Sequence, residues 1–327
     1  MIIISGLKAA SEVIVILLLA IFIATIFTAF LEFLKKNKIP KILSIIISVL
    51  IFTTIFMLLV FMLNHSLNDF MINLPMYERK VKILVTDSIN ILAQYGIFLQ
   101  KNQILELLDI NYFAKMTTEV LGGIGVFFSK FLLVGIGIGF ILAESKSFEK
   151  KLIVIFKNDI NKLISFRLFS QNIKKYFIVK TFTSFLTGIL FSTLLFAFNV
   201  DYPILWGVLA LLFNFVPVVG SIVATIPAIL LSLINLDINI TLWLIAITIF
   251  FNIFISNIIE PKLMGRELGL SPMVIFFALI FMGWTLGVAG MFLAVPITMT
   301  LKIAFEATDK TKWVAILLSD LTKITKY

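Results

Sequence analysis

Long apolar runs separated by short charged stretches set the pattern of this chain. A helix needs about 20 apolar residues to cross the hydrocarbon of a bilayer. Runs of that order lie at 12–34, 42–63, about 120–143, about 181–199, 204–234, 240–259 and 273–303. The pattern predicts an all-α, polytopic helical bundle with seven to eight membrane segments. The first run ends on the basic stop Lys35-Lys36-Asn37-Lys38 and offers no small-residue cleavage site, so it reads as a retained span and not a signal peptide. The third carries Gly122, Gly123, Gly125, Gly135, Gly137 and Gly139, a density of small residues that lets helices approach closely in lipid.

Two runs are too long for one span. Residues 204–234 and 273–303 would each make a rod of about 46 Å, against a hydrocarbon thickness of about 30 Å. Both carry breakers near the middle. The first holds Asn214-Phe-Val-Pro217-Val-Val-Gly220 and then Pro227; the second holds Gly283-Trp284-Thr-Leu-Gly287-Val-Ala-Gly290 and then Pro296. Proline removes a backbone donor and clashes with the preceding turn, and glycine permits the dihedrals of a sharp reversal. Each run is therefore expected to be two half-helices meeting at a tip, a broken or re-entrant hairpin whose freed backbone groups face protein or a cavity. The alternative is that these residues only kink ordinary spans.

Between the spans the polar segments differ in charge. Residues 144–180 hold nine Lys and Arg against Glu144, Glu149 and Asp159, and 35–41 holds four Lys and no acid, whereas 64–118 is balanced. Positive loops stay in the cytoplasm, so 35–41 and 144–180 are expected inside and 64–118 outside. Apolar residues recur near helical spacing through Leu67, Phe70, Met71, Leu74, Tyr77, Val81, Leu84 and Ile91, which predicts a small extracytoplasmic helical subdomain. The expected organisation is 1–63, N-terminal spans; 64–118, extracytoplasmic amphipathic helices; 119–143, a Gly-rich span; and 144–180, a basic cytoplasmic amphipathic segment. A core follows over 181–303, with its two broken segments, and a cytoplasmic tail over 304–327.

Composition agrees and removes whole classes of function. Apolar residues make up 61% and charged residues 14% of the 327 positions, against about 45–50% and about 25% in soluble domains. With no cysteine, thiolate chemistry is excluded, and with His65 as the one histidine a His-based zinc site or a Ser-His-Asp triad is nearly excluded too. No metal site or cofactor is expected, and no P-loop is present to bind ATP. The chain is not read as an enzyme. Its net charge of +9 reflects basic cytoplasmic loops more than nucleic-acid binding.

One polar cluster interrupts the sixth run. Asn252, Ser256 and Glu260 recur at i, i+4 on one helical face, with Asn257 beside them and Pro261, Gly265 and Arg266 following. Ionisable groups at membrane depth are costly and point to function; the alternative is a helix end with Glu260 and Arg266 paired at the interface.

These stretches are similar to the autoinducer-2 exporter family of bacterial inner-membrane proteins. The resemblance is carried by Trp206-Gly-Val-Leu-Ala-Leu-Leu-Phe-Asn214-Phe-Val-Pro217-Val-Val-Gly220 through Pro227, by Asn257-Ile-Ile-Glu260-Pro261-Lys-Leu-Met-Gly265-Arg266-Glu-Leu-Gly269-Leu-Ser271, by Phe281-Met-Gly283-Trp284 through Pro296, and by Leu317-Leu-Ser-Asp320-Leu. It implies an eight-span fold, export of the quorum signal autoinducer-2 by the best-known members, and a homo-oligomer, a pentamer in the family's architecture. Other members exchange sodium or lithium for protons. The family has a further apolar span ahead of the stretch matching Ser5-Gly-Leu-Lys8, of which Met1–Ile4 remain here; the expectation is a missing first span or a late start.

The functional expectation is a secondary transporter in the inner membrane that exports a small polar metabolite, with protons as the coupling ion and sodium as the alternative. Asn214, Asn252, Asn257 and Trp284 are expected along the substrate pathway, and Glu260 and Arg266 at the gate. Pro217, Gly220, Pro227, Pro261, Gly265, Gly283, Gly287, Gly290 and Pro296 are expected at hinges and breaks. The competing readings are a sodium–proton antiporter using Glu260 as its carboxylate, and a non-transporting membrane scaffold.

Overall fold

The computed structural model describes residues 6, 8–96, 130–145, 147, 151, 153–155, 160–217, 219–264, 269–306 and 310–320. Gly265 and Arg266 lie outside the described residues, as do 97–118, most of the first half of the Gly-rich span, and much of the 148–159 stretch.

Helix α1 (Ser11–Lys36) carries Glu12 in its first turn and Lys35 and Lys36 in its last, the arrangement that suits the helix dipole. Helix α2 (Lys41–Gln94) runs for 54 residues without interruption, with Pro75 inside it. The pattern predicts a span ending at 63 and separate amphipathic helices from 64; as far as Gln94 those residues instead continue the same rod, about 80 Å long. Residues 130–145 form α3. Helix α4 (Ile160–Ala197) crosses the expected boundary at 180 unbroken, so Lys180 sits within a helix and not in a loop.

The first long run is divided. Helix α5 (Pro203–Phe213) and helix α6 (Val219–Asn235) are separated by a turn at 214–217. At about 16 and about 26 Å neither matches a hydrocarbon thickness of about 30 Å. Gly220 lies against the backbone carbonyl of Phe213, where a Cβ would collide. Helix α7 (Ile238–Phe254) starts on Asp237, whose carboxylate accepts from the Asn239 N–H at 2.9 Å. A π turn (Ile255–Ile259) then leads into α8 (Glu260–Met264). Helix α9 (Pro272–Glu306) breaks at Gly287, with φ 69° and ψ −157°, a region essentially reserved for glycine. Gly290 lies against the carbonyl of Met282, and a Cβ on Gly283 would sit 2.6 Å from the Met291 methyl. Residues eight apart on a straight helix are separated by about 12 Å, so the two arms of α9 fold back along each other. Helix α10 (Lys312–Leu317) closes the described chain.

Among the described residues, five helices are long and apolar enough to cross a membrane: Ser11–Lys36, Lys41–Asn90, Ser170–Ala197, Ile238–Met264 and Pro272–Glu306. Their outer faces are apolar: Phe61, Phe140 and Phe196 are 73%, 72% and 74% exposed. Water would not tolerate so much uncovered aromatic surface; hydrocarbon does. The chain is a multi-pass helical membrane protein.

Two compact units make up the structure. The first contains residues 1–55, 130–183 and 256–327. In it α1 packs on α3 through Ala20, Ala24, Leu31, Val134, Ile138 and Leu142. Gly137 meets the Ala20 methyl so closely that a Cβ would stand 2.8 Å away, the close approach expected of small residues in lipid. A second cluster gathers Phe22, Phe177, Leu293, Val295 and Met299.

The second unit contains residues 56–129 and 184–255. Its core includes Leu63, Leu67, Phe191, Leu195, Trp206 and Leu244. A polar network ties the far part of α2 to the helix turns at 198–203 and 235–237. Asp201 accepts from the Tyr77 hydroxyl at 2.8 Å and from the Asn235 amide at 2.6 Å, and Lys80 donates to Asn235 at 2.8 Å. Asn73 donates to the Tyr202 hydroxyl, which in turn donates to the Asp69 carbonyl.

Candidate functional site

The second unit holds a small cavity of about 20 Å³, lined by polar and apolar side chains, with room for about one water-sized group. Its wall comes from four helices: Thr187 and Phe191 on α4, Ala210 on α5, Ser221 and Thr225 on α6, and Thr248, Phe251 and Asn252 on α7, with Ile255 below. Ser221 with Thr225, and Thr248 with Asn252, are i, i+4 pairs, so each helix turns two polar groups to one side. No Asp, Glu, Lys or Arg lines the space. Thr225 spends its proton on the Ile222 carbonyl at 2.9 Å and keeps acceptor capacity. Thr248 is 7% exposed, and its hydroxyl has no hydrogen-bond partner among the described residues. A buried hydroxyl left in that state costs about 1–3 kcal/mol, so the wall is chemically incomplete as it stands.

Asn214 does not line this cavity. It caps the C-terminus of α5, 5% exposed, and donates its amide to Ser184 on α4 at 3.1 Å. The side chain anchors the tip of the α5–α6 hairpin. Pro217 lies in the turn itself, and Pro227 falls within α6 on the wall of an apolar groove shared with Leu74, Val81 and Trp206.

Within the first unit stands a buried ion pair. Lys180 Nζ is 3.1 Å from each oxygen of Glu260, and the two side chains are only 6% and 17% exposed. A lone charge on a helix at mid-membrane costs about 2.5–3.5 kcal/mol on insertion scales, and removing one partner of a buried pair costs about 3–5 kcal/mol. The two are thus interdependent. Glu260 opens α8 immediately after the π turn, with Pro261 next; such turns recur at functional sites because they re-aim the side chains that follow. Tyr176, buried one turn before Lys180 on α4, lies within the field of Glu260. Among the described residues Glu260 pairs with Lys180, 80 residues away; Arg266, its partner in the alternative reading of the sequence, lies outside them.

The remaining predicted positions scatter. Ser256 and Asn257 in the π turn are exposed. Trp284 is 57% exposed, on the first arm of α9, with the Lys8 ammonium 5.0 Å over its ring. Gly283, Gly287 and Gly290 meet at the bend of α9, and Pro296 is buried in its second arm.

Sequence reasoning missed the polar face of α4. Lys180, Thr183, Ser184 and Thr187 are all buried, at the i, i+3, i+4, i+7 spacing of one helix face. Counting Lys180 with the loop charges hid that spacing, which is visible once the span is started earlier.

Comparison with known proteins bears on what these features belong to. The family model described as AI-2E family transporter matches residues 1–310. The AI-2 transport protein TqsA of Escherichia coli K12 is 32% identical over 322 residues, covering 98% of this chain and 94% of that protein. A Haemophilus influenzae protein described as a transport protein is 34% identical over 331 residues, with 98% and 94% covered. The transport protein YhhT of Escherichia coli K12 is 28% identical over 317 residues, with 97% and 91% covered. The sodium–proton antiporter alternative gains no support from these relatives. A family match over residues 1–310, with a relative 32% identical along 98% of the chain, makes the chain a member of the AI-2E family of transporters.

Proposed function

We propose that the chain exports a small, uncharged, hydroxylated metabolite of the autoinducer-2 class across the bacterial inner membrane, and that the small cavity of the second unit, with its hydroxyl and amide groups, is its solute site. The single observation that carries this is the unsatisfied Thr248 hydroxyl facing a wall of Thr187, Ser221, Thr225 and Asn252. Hydroxyls and an amide supply both donors and acceptors. With no charge in the lining, they match a neutral solute bearing several hydroxyls better than an anion, an amine or a divalent cation. The naming of TqsA for AI-2 transport supports the same class.

The cavity is too small for such a solute as it stands, so the site opens by movement. The α5–α6 hairpin is the element suited to it. Its backbone is unwound at 214–217, neither arm is long enough to span, and at its tip Asn214 bonds to Ser184 on α4. The fold-back of α9 at Gly287 is the second such hairpin. Read as re-entrant, both follow the rule that non-helical backbone at membrane depth lines a protected polar space.

The test is export of autoinducer-2 from cells that lack the chromosomal copy and carry the chain on a plasmid. Replacing Asn252 by Leu keeps the branched outline of the side chain and removes both donor and acceptor. Extracellular signal at equal protein level is expected to fall to that of the empty plasmid. Undiminished export by Asn252→Leu would refute the site, and no rise in signal with the intact chain would refute the substrate.

A further inference from the structure

Beyond the last span, α10 turns an apolar face outward that is left uncovered among the described residues. Ala315 is buried and Val314 half-buried, whereas Trp313, Ile316 and Leu317 are 62%, 47% and 67% exposed. At about 100° per residue these three side chains fall within one arc of about 100°, with Lys312 at its edge. Lys310 and Lys312 are both exposed, and from 307 onward the sequence holds Lys310, Lys312, Lys323 and Lys326 against Asp309 and Asp320. Indole and aliphatic groups bordered by lysines suit a bilayer interface, where tryptophan settles at headgroup level and ammonium groups meet lipid phosphates. We infer that α10 docks on the anionic lipid surface at the foot of α9. Trp313, Ile316 and Leu317 enter the boundary between headgroups and acyl chains, and Lys310 and Lys312 lie at the phosphates.

The place of α10 in the first unit argues for lipid as the partner. It follows directly on Pro272–Glu306, a helix long and apolar enough to cross the membrane, and it is tied to the feet of both arms. The Thr311 hydroxyl donates to the Phe305 carbonyl at 2.9 Å. Just past α10, the Leu318 carbonyl accepts from the Ser271 N–H at 3.0 Å, and the Asp320 N–H donates to the Gly269 carbonyl at 3.3 Å. The same Gly269 carbonyl accepts from Lys302 Nζ on the second arm at 2.9 Å, and the first arm begins at Pro272. Leu270 is buried, in the cluster that Leu318 packs against. The outward face of α10 is therefore held where the hairpin meets the bilayer surface.

Which surface that is follows from α1. The Lys8 ammonium, ahead of α1, lies over the Trp284 ring near the bend of α9. Phe22, about 21 Å further along, clusters with Leu293, Val295 and Met299. The same direction carries Lys302 and Glu306 toward the end of α1 that bears Lys35 and Lys36. That end is expected in the cytoplasm by its charge, and the cytoplasmic leaflet is the one whose negative potential attracts basic segments.

The test needs no solute and stands apart from the solute-site reading. The chain has no cysteine, so Ile316→Cys gives the full-length protein a single thiol for an environment-sensitive fluorophore, with Leu317→Cys as the second site should the first variant not fold. The labelled protein is placed in nanodiscs of phosphatidylglycerol or of phosphatidylcholine, both faces of which are open to water. In phosphatidylglycerol the fluorophore should be quenched by a nitroxide carried near the lipid headgroup. Its quenching by acrylamide, a neutral aqueous probe, should be at least about fivefold weaker than in phosphatidylcholine, the factor one lysine contributes at an anionic surface. Adding Lys310→Gln and Lys312→Gln should abolish that difference between the lipids.

Free quenching by acrylamide without quenching by the nitroxide in phosphatidylglycerol would place the face in water and overturn the proposal. Shielding from both quenchers would overturn it in favour of a protein cover, a second copy or another part of this chain. Equal nitroxide quenching in the two lipids, unchanged by the lysine replacements, would overturn the assignment to anionic lipid.

Discussion

Replacing Thr248 by Val gives the sharpest separation between a structural and a solute-binding role. The two side chains have nearly the same shape, so the change deletes a hydroxyl with little loss of packing around Phe251 and Ile255. That hydroxyl is buried and unpartnered among the described residues, so the empty protein carries a desolvation penalty of about 1–3 kcal/mol for it. Valine removes the penalty. The variant should therefore be at least as stable as the parent, with a melting temperature in detergent raised by about 2–4 °C for each kcal/mol recovered. Solute binding moves the other way. Losing one neutral hydrogen bond, worth about 0.5–1.5 kcal/mol, weakens affinity by roughly 3- to 10-fold. The assay pairs thermal melting of the purified protein with concentration-dependent autoinducer-2 exchange in proteoliposomes, where the half-saturating concentration should rise by that factor. A variant that melts lower than the parent and transports with unchanged affinity would show that Thr248 has a partner it depends on and that the cavity is only a packing defect.

Three other changes follow from the geometry. Gly287→Ala forces a side chain into dihedrals of φ 69° and ψ −157°, which cost about 1–3 kcal/mol; lower yield of folded protein and a lower melting temperature are expected, and a variant as stable as the parent would mean α9 does not bend there. Gly220→Ala drives a methyl into the Phe213 carbonyl, so transport should drop sharply while Ala228→Gly on the same helix, whose parent side chain is fully buried, lowers stability without a selective loss of transport at matched protein level. Asp201→Ala leaves the Tyr77 hydroxyl and the Asn235 amide without their acceptor, a loss of about 1.5–3 kcal/mol for bonds to a charged group; protease cleavage within residues 64–96 at native conditions should speed up correspondingly, and an unchanged rate would show that the network does not hold the end of α2.

How the site residues fared illustrates where local reasoning stops. Asn214 and Asn252 look alike in the sequence, each a lone amide in an apolar run. In the folded chain one is consumed by Ser184 and the other lines the cavity. Glu260 has Arg266 six residues ahead as a mate by sequence, and among the described residues, which do not include Arg266, its partner is Lys180 on another helix. No pattern within a turn or two of either residue carries that information.

What the sequence by itself determined was everything governed by local chemistry. Apolar length and charge bias made a membrane-spanning helical chain, and Gly and Pro at the middle of overlong runs marked where α5 parts from α6 and where α9 reverses at Gly287, because permitted dihedrals belong to single residues. The tertiary structure alone decided which polar groups are satisfied. A threonine in an apolar helix costs the same stretch of sequence whether a neighbouring helix answers its hydroxyl or not, and only the packing of α4, α6 and α7 leaves Thr248 facing a polar space unanswered. The same holds for Lys180, whose charge belongs to a loop by composition and to a buried ion pair by position, since pairing depends on distances in space that periodicity along the chain does not encode.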